Sequence, residues 1–224
     1  MAAKIQAVGN SFANSASART ITFGNNVGSG NLLVLAAAIF NSGITLTVSG
    51  SVNGSYTQAG AYAANGSSRA AIFYFFNSGA GSETITVTPS ASAYLNLGAI
   101  EINGVGSSDP IDGTSTNTGS NTVLTTGSVT ITQATELVVA VYSIAGAEKN
   151  CEPDGVMSLF WFSDDTNSQI AACSWGIVTA NTNAQVTVPT LSAYAAVGAS
   201  FKVVPPAASP TYDKALIVQP TGAY

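Results

Sequence analysis

The chain reads as an all-β protein: one large antiparallel β-sandwich of about ten to twelve strands, made of two related halves and followed by an extended C-terminal arm. Three observations predict this. Apolar residues alternate at period two or form short continuous runs bounded by Gly, Asn and Ser, and no segment sustains a 3.6-residue apolar period. Of 224 residues, 46% are hydrophobic and only 8% charged, against about 25% charged in an ordinary soluble domain. Polarity therefore comes from Ser, Thr, Asn and Gly, which suit turns and strand faces. Finally, one stretch occurs twice. Residues 89–99 read PSASAYLNLGA and residues 189–199 read PTLSAYAAVGA, so Pro89/Pro189, Ser92/Ser192, Ala93/Ala193, Tyr94/Tyr194, Gly98/Gly198 and Ala99/Ala199 coincide at one offset. Self-similarity at fixed spacing marks two related halves, and two halves of about five strands fit a jelly roll.

Taken in order, residues 3–9 and 18–23 alternate and read as strands. After the turn cluster GNNVGSGN comes Leu32–Phe40, a continuous apolar run suited to a central strand covered on both faces. Residues 44–48 (ITLTV) alternate, 49–66 are loop-rich with room for one short strand, 69–76 (RAAIFYFF) form a second buried strand, and 83–88 (ETITVT) lead into the first signature stretch, which continues to residue 102. A long polar crossing then closes the first half. In the second half, 127–132 answer 18–23, 136–142 answer 31–37, 156–162 add a strand, 168–179 answer 69–76, and 184–188 precede the second signature. The sandwich spans about residues 1–204, with halves at about 18–103 and 127–204. Two separate small sandwiches are disfavoured, because each half would bury too little surface alone.

Residues 204–210 (VPPAASP) form a stiff linker. Beyond it, 215–218 carry a short apolar strand that cannot stabilise itself. Tyr212, Leu216, Ile217, Val218 and Tyr224 are the candidate residues of an assembly arm. The arm either adds to a neighbouring subunit by strand addition or folds back on its own sandwich.

Composition also excludes functions. The net charge is −5 with six basic residues scattered along the chain, so no basic stripe exists for nucleic acid or an anionic membrane surface. The longest apolar run is nine residues, too short to insert across a bilayer as a helix. The N-terminus MAAKIQAVGN lacks a secretory h-region, which points to a protein made in the cytoplasm. Histidine is absent, which removes the usual general base and any Ser-His-Asp or Cys-His arrangement. No dinucleotide fingerprint or P-loop occurs. The expectation is a non-enzymatic protein without catalytic residues, cofactor or metal.

Three groups still merit a functional reading. Glu148, Glu152, Asp154, Asp164 and Asp165 gather five of eleven acids in one region, but match no compact calcium loop; loops collect the charges that strands exclude. Trp161, Trp175, Tyr56, Tyr62 and Phe160 could offer faces to a sugar, although Trp161 lies in LFWF and core packing is the simpler role. Cys151 and Cys173 are expected as buried thiols, not as a disulfide framework.

GNLLVL, NGSYT, AAIFYFFNSGAGSETITVT, AIEINGV followed by DPIDG, and TELVVAVY occur in that order. Together, across about residues 18–204, they resemble jelly-roll modules of phage virion proteins and of repetitive bacterial surface proteins. Such modules commonly carry an aromatic after the Glu of AIEINGV, where this chain has Ile102. The resemblance implies a structural or adhesive role on a particle surface: a virion subunit of head or tail, forming a homo-oligomer (a trimer favoured) with other virion proteins as partners. The alternative is a receptor- or glycan-binding adhesin module. No functional residue carries over.

The signature copies differ in one respect. Val197, Phe201 and Val203 keep one parity, whereas Leu95 and Leu97 are followed by Ile100 and Ile102 on the other. A one-residue slip exchanges the faces of a strand, so a β-bulge is predicted at Gly98 and Ala99, turning Glu101 outward. A regular strand there would instead require Glu101 to be buried, or Ile100 and Ile102 to face out.

Overall fold

The computed structural model of the chain describes residues 2–41, 43–106, 109–146, 150–163 and 169–204. It is an all-β antiparallel sandwich. Its strands are β1 (Ala3–Ser15), β2 (Arg19–Thr22), β3 (Leu32–Phe40), β4 (Leu46–Gly50), β5 (Gly54–Ser55), β6 (Thr57–Asn65), β7 (Ser68–Phe75), β8 (Thr84–Pro89), β9 (Ala93–Asn103), β10 (Ile111–Val129), β11 (Glu136–Ala145), β12 (Glu152–Pro153), β13 (Ser158–Ser163), β14 (Gln169–Val178) and β15 (Thr182–Lys202).

These fifteen strands exceed the ten to twelve expected, for two reasons. Short β5 and β12 lie in segments read as loops, and the nine-residue β6 occupies half of the stretch 49–66 read as loop-rich. The polar crossing after residue 103 becomes most of β10, whose core-facing side is itself polar and so shows no apolar alternation.

Two inner sheets have the orders β1-β9-β3-β7-β6 and β10-β15-β11-β14-β13, and a small outer sheet runs β2-β8-β4-β5. Paired in that order, the strands of one inner sheet correspond to those of the other. Cross-sheet packing follows the same correspondence: β1 lies on β13 and β6 on β10, β9 on β14 and β7 on β15, with β3 facing β11 at the centre. Strand β10 shifts register after Asn121, so residues 111–121 stay beside 192–201 while 123–129 run beside 182–187, where β12 also pairs. That second part folds over the outer face of its own sheet.

The layers enclose three main cores. Leu32, Val34, Ile72, Ile100, Ile102, Val139, Val141, Val197 and Phe201 fill the space between the inner sheets. Leu33, Leu35, Ile39, Phe73, Ile85, Val87, Leu95 and Leu97 lie under the outer sheet. Leu124, Val129, Val138, Tyr142, Ile144, Ile170 and Val186 lie under the folded-over part of β10 and β15. All nine residues of β3 are buried, as its unbroken apolar run requires of a strand with both faces covered.

The bulge expected at Gly98 and Ala99 is absent. β9 pairs with β3 in unbroken register from Ile102 to Tyr94. Both faces of β9 are covered, so Leu95, Leu97 and Ala99 enter the outer core while Ile100 and Ile102 enter the central one, and no slip is needed. Gly98 serves close approach instead: a Cβ there would stand 3.1 Å from Cys173 Sγ and 3.2 Å from Trp161 Cβ. Gly198 plays the same part on a different face, against Val129 and Thr126. Residues 100 apart therefore do not share an environment. Leu97 and Ala99 face the outer core, Val197 and Ala199 the central one.

Candidate functional site

The regular strand brings Glu101 inside, fully buried. Its carboxylate is met by three donors: Gly28 N–H at 2.7 Å and Asn31 Nδ2 at 2.6 Å on Oε1, and Gln6 Nε2 at 2.6 Å on Oε2. A buried charge survives where hydrogen bonds replace its water. Glu101 thereby ties β1 and the loop before β3 to the end of β9. The register shift in this region falls on β1, between Lys4 and Gln6, and leaves Ile5 exposed.

Glu83 repeats the device under the outer sheet. Tyr56 O–H donates to Oε1 at 3.1 Å and Val52 N–H to Oε2 at 2.8 Å. Burial, and then the Glu83 carboxylate, hold the Tyr56 phenol far above its ordinary range, so it remains a donor.

The third buried acid is paired. Glu136 Oε1 accepts Thr132 N–H at 2.9 Å and Gln133 N–H at 3.0 Å. The same Thr132 N–H reaches Asp112 Oδ2 at 2.6 Å, and Thr132 O–H reaches Asp112 Oδ1 at 2.7 Å. Two carboxyl groups thus share one donor, with Lys202 Nζ 3.8 Å from Asp112. Burial raises the Glu136 carboxyl; the two N–H groups oppose this, and Asp112 adds to it. Burial also pushes Asp112 upward, but hydrogen bonds from the Thr132 hydroxyl, Glu136 and the Thr132 N–H, together with Lys202, hold it below its ordinary range. Asp112 therefore gives up its proton before Glu136 does.

The aromatic candidates are not gathered on one open face. Tyr56 is buried, and Tyr62 is half-buried, accepting Leu46 N–H at 2.9 Å with the Arg69 guanidinium 3.9 Å over its ring. Phe160, Trp161 and Trp175 are half-buried against the central core. Trp161 lies on Gly9 of β1, whose missing Cβ makes room for the indole. Cys173 is in the central core and Cys151 in the second outer core. Of the acid cluster, Glu152 is in β12, paired with Thr187, and Asp154 follows it, donating its N–H to the Gln185 carbonyl. Glu148, Asp164 and Asp165 lie outside the described residues, as do Tyr212, Leu216, Ile217, Val218 and Tyr224. Among the described residues no cluster of three or more metal-ligating side chains occurs, and no helix is long and apolar enough to cross a membrane.

What the fold leaves open is hydroxyl-rich. On the outer sheet, Ile21, Leu46, Val48, Ile85 and Val87 point inward. The alternate positions Thr20, Thr22, Thr47, Ser49, Thr84, Thr86 and Thr88 therefore form the opposite face. They fall in cross-strand ranks, Thr20–Thr86–Ser49, Thr22–Thr84 and Thr88–Thr47, and the Thr22 and Thr84 hydroxyls are 2.8 Å apart. No charge interrupts this face. Arg19 turns the other way, over the Phe12 ring and onto the Ala13 carbonyl.

The second open feature is β10. Residues 113–121 (GTSTNTGSN) run straight along β15, and Thr114, Thr116, Thr118 and Ser120 are exposed. Sequence reasoning passed over both features. The available signal was β-branched Thr at every second position, TITVT and TSTNT, which marks a strand with a polar face.

Comparison with family models, with curated proteins and with solved structures finds no match for this chain.

Proposed function

We propose that the protein is a non-enzymatic structural subunit of a particle surface, a phage virion protein of the decoration type that packs against copies of itself and neighbouring virion proteins. The observation that carries this reading is where the charges go. Glu83, Glu101 and Glu136 are all fully buried, and the Asp112 side chain is only 6% exposed. The outward face of the outer sheet carries hydroxyls alone. A face without ions meets another protein without stripping water from unpaired charges, which is the main cost of polar interfaces. The order of strand motifs, which resembles virion jelly-roll modules, supports the same assignment.

The test is particle incorporation. A chain ending at Val204 should lose its place on the particle if residues 205–224 anchor it, while keeping the β-signature of the intact protein. Unchanged occupancy would remove the anchoring role from the arm.

A further inference from the structure

The inner sheets have four outer edges, and three of them are blunted. β6 shifts register between Ala59 and Ala63, where Gly60 takes a φ of +70°, and β13 shifts between Leu159 and Trp161. β1 shifts at both ends, and its Phe12–Ala13 end is covered by Arg19. Bulges and charges of this kind stop sheets from joining edge to edge. β10 also shifts at both ends, between Ile111 and Gly113 and between Asn121 and Val123. The nine residues 113–121 between them, however, carry no shift, no charge and no proline, a longer such run than the seven residues 6–12 of β1. Among the described residues its only strand partner is β15, so one row of N–H and C=O groups faces outward. The Thr118 N–H, taken by the Asn117 side chain at 2.9 Å, belongs to that row.

The sequence of this edge selects its occupant. About Asn117 the pattern is near-palindromic: Thr116 mirrors Thr118, Ser115 mirrors Gly119, and Thr114 mirrors Ser120. An antiparallel pair centred on Asn117 sets Thr116 opposite Thr118 and Thr114 opposite Ser120 of the other strand. All of these are exposed hydroxyls on one face, and cross-strand Thr–Thr and Thr–Ser pairs stabilise antiparallel ladders. An unrelated strand would have no reason to match that symmetry.

We propose that β10 is a self-association edge: two copies of this chain pair their β10 strands antiparallel about Asn117, extending the β10-β15-β11-β14-β13 sheet across a two-fold axis. The contact is isologous and therefore closed, so the building unit is a pair and not the trimer expected from sequence. This inference rests on the self-assembling reading above and names the surface that performs it.

The experiment is sedimentation of the full chain across a wide concentration range, wild type beside two variants. T116K/T118K sets Lys opposite Lys across the proposed pair, and should raise the dimer dissociation constant at least tenfold. T116K/T118E sets Lys opposite Glu in the same register, and should recover pairing to near the wild-type value. Both change only exposed side chains, and circular dichroism confirms that each variant is folded. A wild-type chain that stays monomeric overturns the proposal. So does a dimer indifferent to T116K/T118K, or one that T116K/T118E fails to restore. If the chain ending at Val204 pairs and the full chain does not, the edge belongs to the chain's own last residues, and a second copy is excluded. Each of these outcomes leaves the particle-surface reading to be decided by incorporation, so the two fail separately.

Discussion

The Asp112–Glu136 pair makes stability depend on pH from two directions. The raised Glu136 contributes stability while it is protonated, and loses it as pH rises through its folded value. The lowered Asp112 contributes while it is ionised, and loses it as pH falls through its own. The pair is therefore most favourable between the ordinary values of the two groups, 3.8 for Asp112 and 4.5 for Glu136. Glu136→Gln keeps an acceptor for the Thr132 and Gln133 N–H groups without a charge to bury. Its melting temperature relative to wild type should rise as pH climbs from the ordinary carboxylate range through the raised folded value of Glu136 and level off above it, measured by calorimetry at fixed salt; a difference independent of pH would mean that Glu136 gains nothing from its proton. Of these acids, only Glu101 was exposed by sequence reasoning, through the parity conflict in LNLGAIEI. The sequence stated both resolutions, a bulge or a buried carboxylate. It could not choose, because the three donors that make burial tolerable come from Gln6, Gly28 and Asn31, 70 to 95 positions away.

At the scale of elements, apolar content was legible and polar regularity was not. Leu32–Phe40 announces a strand with two covered faces because nothing else accommodates nine consecutive apolar residues. The β10 strand, equally regular, packs its inward side with hydrogen bonds, as where Asn117 Nδ2 reaches Thr125 Oγ1 at 2.9 Å and Tyr194 O–H at 3.1 Å. A polar interior leaves no periodic apolar trace. Gly98 was likewise read as a bulge signal and Gly9 as the end of a strand, when the two sit opposite each other in the ladder and form a flat seat for Trp161. Gly9→Ala puts a methyl into the indole. The ring must tilt or β1 must lift from β13, and overpacking of this kind costs about 1–3 kcal/mol. Denaturant unfolding should show that loss together with a shifted Trp161 emission. Adding Trp161→Phe should return part of the stability, because the smaller ring clears the added methyl. If Gly9→Ala is neutral alone, Trp161 does not rest on β1 as described.

At the scale of the molecule, the central core decides whether the chain behaves as one body. The three clusters are stacked: each inner sheet contributes one face to the central core and the other to its own outer core. β3 and β11, fully covered, lie at the middle. An offset of 100 between signature stretches suggested equivalent halves. The two inner sheets share a strand order, but side chains at that offset are not equivalent, since Leu97 and Val197 face different cores. Each half therefore cannot present the other's surface, and the central core joins two distinct faces. Phe201 sits there, buried, edge-on to Tyr74 at 5.6 Å between ring centroids and with 71° between planes. One aromatic comes from the second half and the other from the first. Phe201→Ala removes this contact and leaves a cavity between the sheets, at about 3–5 kcal/mol. Because both sheets line that cavity, the loss should fall on the two halves together. Hydrogen exchange by slow global opening should speed equally for the central amides of β3 and β11, and thermal unfolding should remain a single calorimetric transition at lower temperature. Faster exchange confined to β11, or a transition split in two, would mean that the halves are separate folding units merely packed together.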